Sequence, residues 1–416
     1  MLINNDRFYI GFDLSYEYAQ ISYCRQQDET PLTYSLTEGS EQYNIPVSLF
    51  KRKGINQWFV GREAEVFAKE EDGIMLRELY SLTLEREIIL IEDEEFETIA
   101  LLALFIKRAL CMPGKYYRSE KIAGIAFTVP TLNEKSISML QRLSVLLNLK
   151  DAAVFFSSRE ESIYQYVIRQ PGELFKSQVV IFDGNERGLT SYRLVKNTHT
   201  TPMVILSEEK YYGEMNQTDE EKDSFFLEII ESMQIEPFTC VFLIGEQFKG
   251  DWCQESLREL CSNKRVFKGN NLYSKGACYC VKNRMDEKKS DRSKFIFLGK
   301  DKLKTNVGMQ VKRGVSDSYL AILDGGENWY ECKKEFDVIL PKGNCLQLLV
   351  TPLDGRNGQN VEIVLEGLAE RPTNMTRLRI LVTMSDEKTL NLDILDLGFG
   401  DFYPTTGMKF SQQIHL

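Results

Sequence analysis

The segment Phe8-Tyr9-Ile10-Gly11-Phe12-Asp13 decides how the N-terminal region folds. It is apolar up to a final aspartate, which is typical of a buried strand that ends at a polar turn. The same pattern returns 170 residues later in Gln178–Gly184 (QVVIFDG), where Asp183 takes the place of Asp13. Further extended runs and helical patterns follow each copy. The sequence therefore predicts a repeated α/β lobe with mostly parallel sheets and helices outside them.

The region between the two copies alternates helical and extended patterns. Phe96–Leu110 has helical apolar spacing, and Ile122–Val129 is an apolar run stopped by a proline. The acidic run Ile91–Glu97 (IEDEEFE) is predicted to be the solvated start of the helix, where the positive helix N-terminus favours acids. The alternative for this run is a docking site for a basic partner.

The composition and hydrophobic pattern of the sequence change after residue 283. Asn283–Lys294 (NRMDEKKSDRSK) is charged and nearly free of apolar residues, which is typical of a solvated linker. Short alternating runs separated by glycine-rich turns then continue to the last residue, and they favour an antiparallel β-sandwich. The predicted divisions are a first lobe at 1–172, a second lobe at 173–283, a linker at 284–294 and a sandwich at 295–416.

The composition excludes several classes of protein. Hydrophobic residues make up 43% and charged residues 27% of the 416, so the chain is neither disordered nor of low complexity. A net charge of −10 makes nucleic acid a poor partner. No apolar run approaches the ~20 residues of a spanning helix, and the first thirty residues lack a secretory signal. We expect a soluble, cytoplasmic protein without a membrane partner.

Histidine and cysteine usage limits the chemistry. The chain has two histidines, His199 and His415, so a histidine-based triad or metal cluster has almost no residues to build it. Among nine cysteines the one close pair is Cys278 and Cys280, and no second pair or nearby histidine completes a zinc site. We expect reduced thiols and no metal-binding cluster.

Six segments taken in order resemble the seventy-kilodalton heat-shock chaperone family, which belongs to the actin-like ATPase superfamily. The first and fourth are similar to the two phosphate motifs of the family, and the second to its Val-Pro segment. The third is similar to its Asn-Glu-Pro-Thr motif, the fifth to its adenosine strand and the sixth to its closing Gly-Ala-Ala helix. The segments are IGFDLSYEYA (10–19), AFTVPTLNEKS (126–136), SREESIYQY (158–166), VVIFDGNERG (179–188), VFLIGEQFK (241–249) and KGACYC (275–280).

This resemblance implies an α/β actin-like two-lobe nucleotide domain followed by a β-sandwich similar to the substrate-binding domain of the family. It implies that ATP or ADP with magnesium is the cofactor, and that Asp13, Glu160 and Asp183 are the catalytic set. The implied cofactor-binding residues are Gly11, Ser15, Tyr16, Gly184, Arg187, Gly245 and Gly276. The implied peptide-contacting residues are Met309, Phe336, Ile339, Leu346 and Leu348, although periodicity equally allows them to fill the sandwich core.

Departures from the family pattern bear on function. Ser15-Tyr16-Glu17 replaces Gly-Thr-Thr in the first phosphate turn, and Asn185-Glu186-Arg187-Gly188 replaces three glycines and a threonine in the second. These changes bring bulk and negative charge to places where phosphate needs a permissive backbone and neutral donors. We also expect that the insertion of the second lobe and the helical lid of the family are missing.

The sequence therefore favours a chaperone-like pseudo-ATPase that holds no cofactor and binds an extended peptide or a partner protein through its β-sandwich. Two alternatives stay open. One is an active ATPase in which Asp13 and Asp183 arrange hydrated magnesium and Glu160 orients water. The other is a purely structural or interaction module.

Overall fold

The computed structural model describes residues 7–114, 121–149, 151–176, 178–185, 187–215, 218–237, 239–285, 295–314, 316–353 and 357–416. Two units pack separately, Met1–Gly299 (unit 1) and Lys300–Leu416 (unit 2). Residues 284 and 285 of the predicted linker belong to a helix that ends at Met285, and the rest of the linker lies outside the described residues.

The first sheet of unit 1 is built around β1, and all seven residues of this strand are buried. The sheet order is β11-β10-β1-β2-β3, with β4 paired to β2. Strand β1 runs parallel to β10 and antiparallel to β2. The strands are β1 (Phe8–Leu14), β2 (Tyr18–Arg25), β3 (Leu32–Thr33), β4 (Ile45–Pro46), β10 (Ile122–Val129) and β11 (Ala153–Ser158). Continuous burial of β1 and β10 is expected because parallel strands are covered on both faces.

Besides β10, the described residues between β4 and β11 form two smaller sheets and four helices around the same core. One sheet has the order β6-β5-β7, and the other is the hairpin β8-β9. The strands are β5 (Leu49–Arg52), β6 (Trp58–Val60), β7 (Gly73–Leu76), β8 (Ile88–Ile91) and β9 (Glu94–Glu97). The helices are α1 (Arg62–Glu70), α2 (Leu79–Glu85), α3 (Thr98–Cys111) and α4 (Glu134–Leu147).

The acidic run Ile91–Glu97 is not the start of a helix, and that prediction was wrong. It contains the end of β8, a two-residue turn and all of β9, and α3 begins only at Thr98. Glu92 and Asp93 both have positive φ, at 51° and 66°, as the tight turn between paired strands requires. Cross-strand pairing and the packing of Phe96 against Trp58 outweigh the preference of acids for a helix N-terminus.

The second sheet of unit 1 repeats the connectivity of the first. Its order is β16-β15-β12-β13-β14-β17, in which β12 runs antiparallel to β13 and parallel to β15. Strand β12 therefore corresponds to β1, and β15 corresponds to β10. The strands are β12 (Gln178–Asn185), β13 (Gly188–Asn197), β14 (Met203–Gly213), β15 (Cys240–Ile244), β16 (Arg265–Lys268) and β17 (Phe295–Leu298). Strand β17, which begins the predicted sandwich range, pairs here with β14.

Two helices connect the sheets, because each one packs against the sheet that it does not directly follow in the sequence. Helix α5 (Arg159–Val167) follows β11 of the first sheet, yet Ile163, Tyr164 and Val167 pack with the core of the second. Helix α8 (Leu272–Met285) follows β16 of the second sheet, yet four of its buried residues pack with β1, β2 and β10 of the first: Ala277, Cys278, Cys280 and Val281. Helices α6 (Asp219–Met233) and α7 (Gln254–Asn263) contact each other. Their buried apolar residues belong to a third hydrophobic cluster, separate from the clusters that contain α5 and α8.

The described residues of unit 2 form two four-stranded antiparallel sheets, ordered β19-β18-β21-β22 and β20-β23-β24-β25. Alternate apolar residues are buried along β21, β23 and β24, which is the pattern of a two-layer β-sandwich. The strands are β18 (Thr305–Arg313), β19 (Ser316–Leu323), β20 (Lys333–Leu340), β21 (Cys345–Pro352), β22 (Gln359–Val364), β23 (Thr376–Met384), β24 (Thr389–Gly398) and β25 (Lys409–His415). The predicted mixed α/β architecture with a strand-rich C-terminal region is confirmed.

Candidate functional site

The two predicted aspartates occupy equivalent positions in the repeated sheets. Asp13 lies near the end of β1, where it pairs with Thr128 of β10. Asp183 lies near the end of β12, where it pairs with Ile244 of β15. Both carboxyl groups are buried. The repeated topology therefore places the two predicted aspartates at corresponding strand ends of the two sheets.

A buried arginine contacts Asp183 directly and interacts electrostatically with Asp13. Arg159 is the first residue of α5, and its Nη1 donates to Asp183 Oδ2 at 3.2 Å. Its Nη2 donates to Ser15 Oγ, at 3.0 Å, in the turn after β1. The Tyr273 hydroxyl donates to Asp183 Oδ2 at 2.8 Å, and the Arg159 guanidinium lies 4.5 Å from the centre of the tyrosine ring. We call Asp13, Ser15, Arg159, Asp183 and Tyr273 the aspartate cluster.

Burial controls the electrostatics of Asp13. Loss of water raises the pKa of Asp13 to about 7, against the opposing attraction of Arg159 and with a further rise from Asp183. Both carboxyl oxygens of Asp13 lack a hydrogen-bond partner among the described residues, and so does the neighbouring Thr128 hydroxyl. The cluster thus contains polar atoms with capacity for a further small polar ligand or water.

The next residue of α5, Glu160, has a different neighbour. Its Oε1 accepts a hydrogen bond from Ser207 Oγ of β14 at 3.2 Å. Successive helical residues point about 100° apart, so the two side chains diverge from one helix end. The residue next to the aspartates is therefore Arg159, which the sequence reasoning missed. Its position at the start of a helix that follows a buried strand was the available signal.

The turns after β1 and β12 contact each other through Tyr16 and Arg187. The guanidinium carbon of Arg187 lies 3.4 Å from the centre of the Tyr16 ring, and Nη2 lies 3.3 Å from Glu78 Oε2. Tyr211 donates to the Arg187 carbonyl at 2.7 Å. We call the contact between Tyr16, Glu78 and Arg187 the arginine clasp. Glu186, the acid noted in this turn, lies outside the described residues.

Gly184 and Gly245 allow the ends of β12 and β15 to meet beside Asp183. Gly245 has φ of 95°, and a Cβ there would overlap the Gly184 carbonyl and lie 2.9 Å from Asp183 Oδ1. A Cβ on Gly184 would lie 2.9 Å from Cβ of Gln247. Two predicted cofactor-binding glycines, Gly184 and Gly245, therefore lie beside Asp183. Binding of a cofactor by these glycines stays a prediction.

Gly11 and Gly276 permit close backbone packing. A Cβ on Gly11 would overlap the Ser274 carbonyl of α8, and a Cβ on Gly276 would overlap the Ser162 carbonyl of α5. These contacts hold α8 tightly between β1 and α5. The structure thus supplies a packing reason for both glycines that is independent of any bound molecule.

The predicted peptide-contacting residues of unit 2 fall into two groups. Met309, Leu346 and Leu348 are buried, as the core alternative requires. Phe336 is half-buried, and Ile339 is 50% exposed on β20. Peptide contact by Phe336 and Ile339 stays a prediction, and the exposure of their side chains is compatible with it.

The aspartate cluster does not fit a magnesium-bound polyphosphate. A cation at this place would face the guanidinium of Arg159, and each like unit charge at 4 Å costs about 4 kcal/mol at an effective dielectric of about 20. The arginine clasp also places a stacked ring and guanidinium between the two turns expected to hold phosphate. Within the described ranges, no group of three or more His, Cys, Asp or Glu side chains is arranged to hold a metal ion.

The fold and the cluster define an α/β protein with two repeated sheets and a buried Asp–Arg–Asp arrangement between them. Residues 30–300 match the C-terminal model of a family of unknown function (DUF5716), and the chain belongs to that family. Residues 302–416 match a domain of unknown function (DUF8552). No curated protein matches the chain. None of the helices in the described residues is long and apolar enough to cross a membrane.

Proposed function

We propose that this chain is a cytoplasmic, chaperone-like protein with an actin-like module that does not turn over ATP. The repeated strand order of the two sheets supports the actin-like interpretation. The aspartates at corresponding strand ends support it further. So do the two helices that pack across onto the opposite sheets. The ordered resemblance of six segments to the seventy-kilodalton heat-shock chaperones is the basis for the chaperone assignment.

The observation that carries the loss of turnover is the contact of Arg159 with Asp183. In this proposal the guanidinium supplies, from within the chain, the positive charge that the buried Asp183 carboxylate needs. Because Glu160 is turned toward Ser207, the side chain that would orient an attacking water is also directed elsewhere. The cluster then acts as a structural connection between the sheets.

We assign binding of an extended peptide or a partner protein to unit 2. Ile339 is exposed on β20, and Phe336 on the same strand is half-buried. Strands at the edge of a sheet can pair with an extended segment, and accessible apolar side chains then give specificity. Strand β20 is at an edge of its sheet, so it offers both features.

One observation favours a second candidate, nucleotide binding without hydrolysis. The two Asp13 oxygens lack hydrogen-bond partners among the described residues, so a ligand could still be held beside them. In this case Arg159 would pair with the phosphate rather than leave space for magnesium.

Thermal unfolding of the full chain with ATP, ADP or AMP, each with and without magnesium, separates the two candidates. A ligand at 100 times its Kd stabilises the folded state by about 2.7 kcal/mol. We expect no shift with any nucleotide. A shift that is lost in Asp13→Ala and does not need magnesium would support the second candidate. A magnesium-dependent shift accompanied by phosphate release would overturn the proposed loss of turnover.

A further inference from the structure

The β8–β9 hairpin presents aliphatic side chains to solvent. Ile88 is 52% exposed and Leu90 is 66% exposed, whereas Ile89 and Ile91 of the same strand pack against the core. Side chains alternate between the two faces of a strand. One face of the hairpin is therefore fixed to unit 1, and the other is open.

The hairpin is held rigidly from its buried side. Phe96 of β9 packs edge-to-face on Trp58 with ring centres 5.6 Å apart. At the turn, Glu92 forms an ion pair with the buried Lys51. The Thr98 amide donates to the Glu87 carbonyl at the open end of the hairpin. A partner would meet a preformed surface, which lowers the entropic cost of binding.

Acidic side chains share the open face with the aliphatic ones. In the strand register Ile88 is opposite Glu97, and Leu90 is opposite Glu95, so each aliphatic residue has an exposed glutamate across from it. We call Ile88, Leu90, Glu95 and Glu97 the hairpin surface. Single exposed aliphatic residues are common on protein surfaces. Two of them on the same face of a hairpin, each opposite an exposed glutamate, form a patch.

Helix α4 extends this patch. Arg142 Nη1 lies 4.0 Å from Glu87 Oε1, which places α4 beside the start of β8. Val145 and Leu146 follow Arg142 by three and four residues and therefore share its side of the helix. Both are exposed, Val145 by 77%. Four aliphatic side chains are thus available in this part of unit 1.

We propose that the hairpin surface is a docking site for a protein segment in which apolar residues alternate with lysine or arginine. Apolar side chains of such a segment would cover Ile88 and Leu90, and its cations would pair with Glu95 and Glu97. Charge argues against a second copy of this chain, because a symmetric contact would bring the same glutamates face to face. It argues equally against nucleic acid and anionic lipid.

The test uses the full chain and two labelled synthetic peptides of equal length, one alternating leucine with lysine and one alternating leucine with glutamate. Binding is followed by fluorescence anisotropy. We expect the lysine peptide to bind and the glutamate peptide not to bind. Leu90→Lys should weaken the lysine peptide at least tenfold, since it removes an apolar contact and adds a like charge.

Leu32→Lys is the matched control, because Leu32 is 64% exposed on β3 at an edge of the first sheet. It adds the same charge to the chain and should leave binding unchanged. Equal weakening by both substitutions would overturn the proposal, as it would indicate a general charge effect. Loss of binding only in Ile339→Lys would also overturn it, while supporting peptide binding by unit 2. A dimer that Leu90→Lys dissociates would show that the surface binds a second copy instead.

Discussion

Arg159 donates a hydrogen bond to Asp183 over 3.2 Å, although Arg159 follows a strand of the first sheet and Asp183 lies in a strand of the second. Arg159 begins the helix that follows β11 of the first sheet, and Asp183 lies near the end of β12 in the second. The pair is buried, and Ser15 and Tyr273 satisfy further atoms of both side chains. The Arg159 guanidinium therefore contacts side chains from both halves of unit 1.

Arg159→Met should destabilise unit 1 strongly, because it leaves Asp183 buried without its cation. Breaking a buried pair by removal of one partner costs about 3–5 kcal/mol. Urea unfolding measures this change. Arg258→Met is the control, since Arg258 pairs with Glu255 at the surface, and it should change stability by about 0.5 kcal/mol or less. Similar effects of the two substitutions would contradict a connecting role for Arg159.

Asp13 should make unit 1 less stable as pH rises through the range between about 4 and 7. Its pKa in the folded state is raised to about 7, so the folded state holds a proton that the unfolded state has already released. Stability then falls with pH by up to about 1.4 kcal/mol for each pH unit. Asp13→Asn stays neutral, so its stability relative to the unsubstituted chain should grow across this range. A constant difference between the two curves would show that Asp13 is ionised throughout.

Arg187→Ala should loosen the turn after β1 with little loss of global stability. A cation–π contact at an exposed site contributes about 0.5–1 kcal/mol, and an exposed ion pair contributes little more. Amide hydrogen exchange in the turn between Leu14 and Tyr18 should become faster. Arg187→Lys keeps the charge and loses the flat stacking group, so an intermediate effect is expected. Unchanged exchange in both variants would mean that the arginine clasp does not restrain the turn.

Gly245→Ala should be far more damaging than Gly250→Ala. Both glycines have positive φ, at 95° and 87°, so both substitutions carry a similar backbone cost. A Cβ at Gly245 also overlaps the Gly184 carbonyl, whereas one at Gly250 meets nothing within 4 Å. We expect a loss of about 1 kcal/mol for Gly250→Ala and at least twice that for Gly245→Ala. Comparable melting temperatures would mean that β15 can shift away from Asp183 at little cost.

Much of the fold follows from local patterns in the sequence. The strands β1, β10 and β12 are continuous apolar runs, and their ends place Asp13 and Asp183 correctly. The hairpin was missed because successive acids are equally compatible with a helix start, and the deciding contact of Phe96 with Trp58 is distant in sequence. Arg159 was missed for a related reason, since the direction of a side chain at a helix start depends on how the whole helix packs.

The crossed packing of α5 and α8 has a consequence for how unit 1 can fold. Each sheet takes a helix from the other half of the chain to complete its apolar core. Neither residues 1–172 nor residues 173–299 would then form a stable body alone, because each fragment would expose the face that the missing helix covers. The two fragments should instead assemble when produced together, and the predicted boundary at residue 172 separates two repeats without separating two independently folding domains.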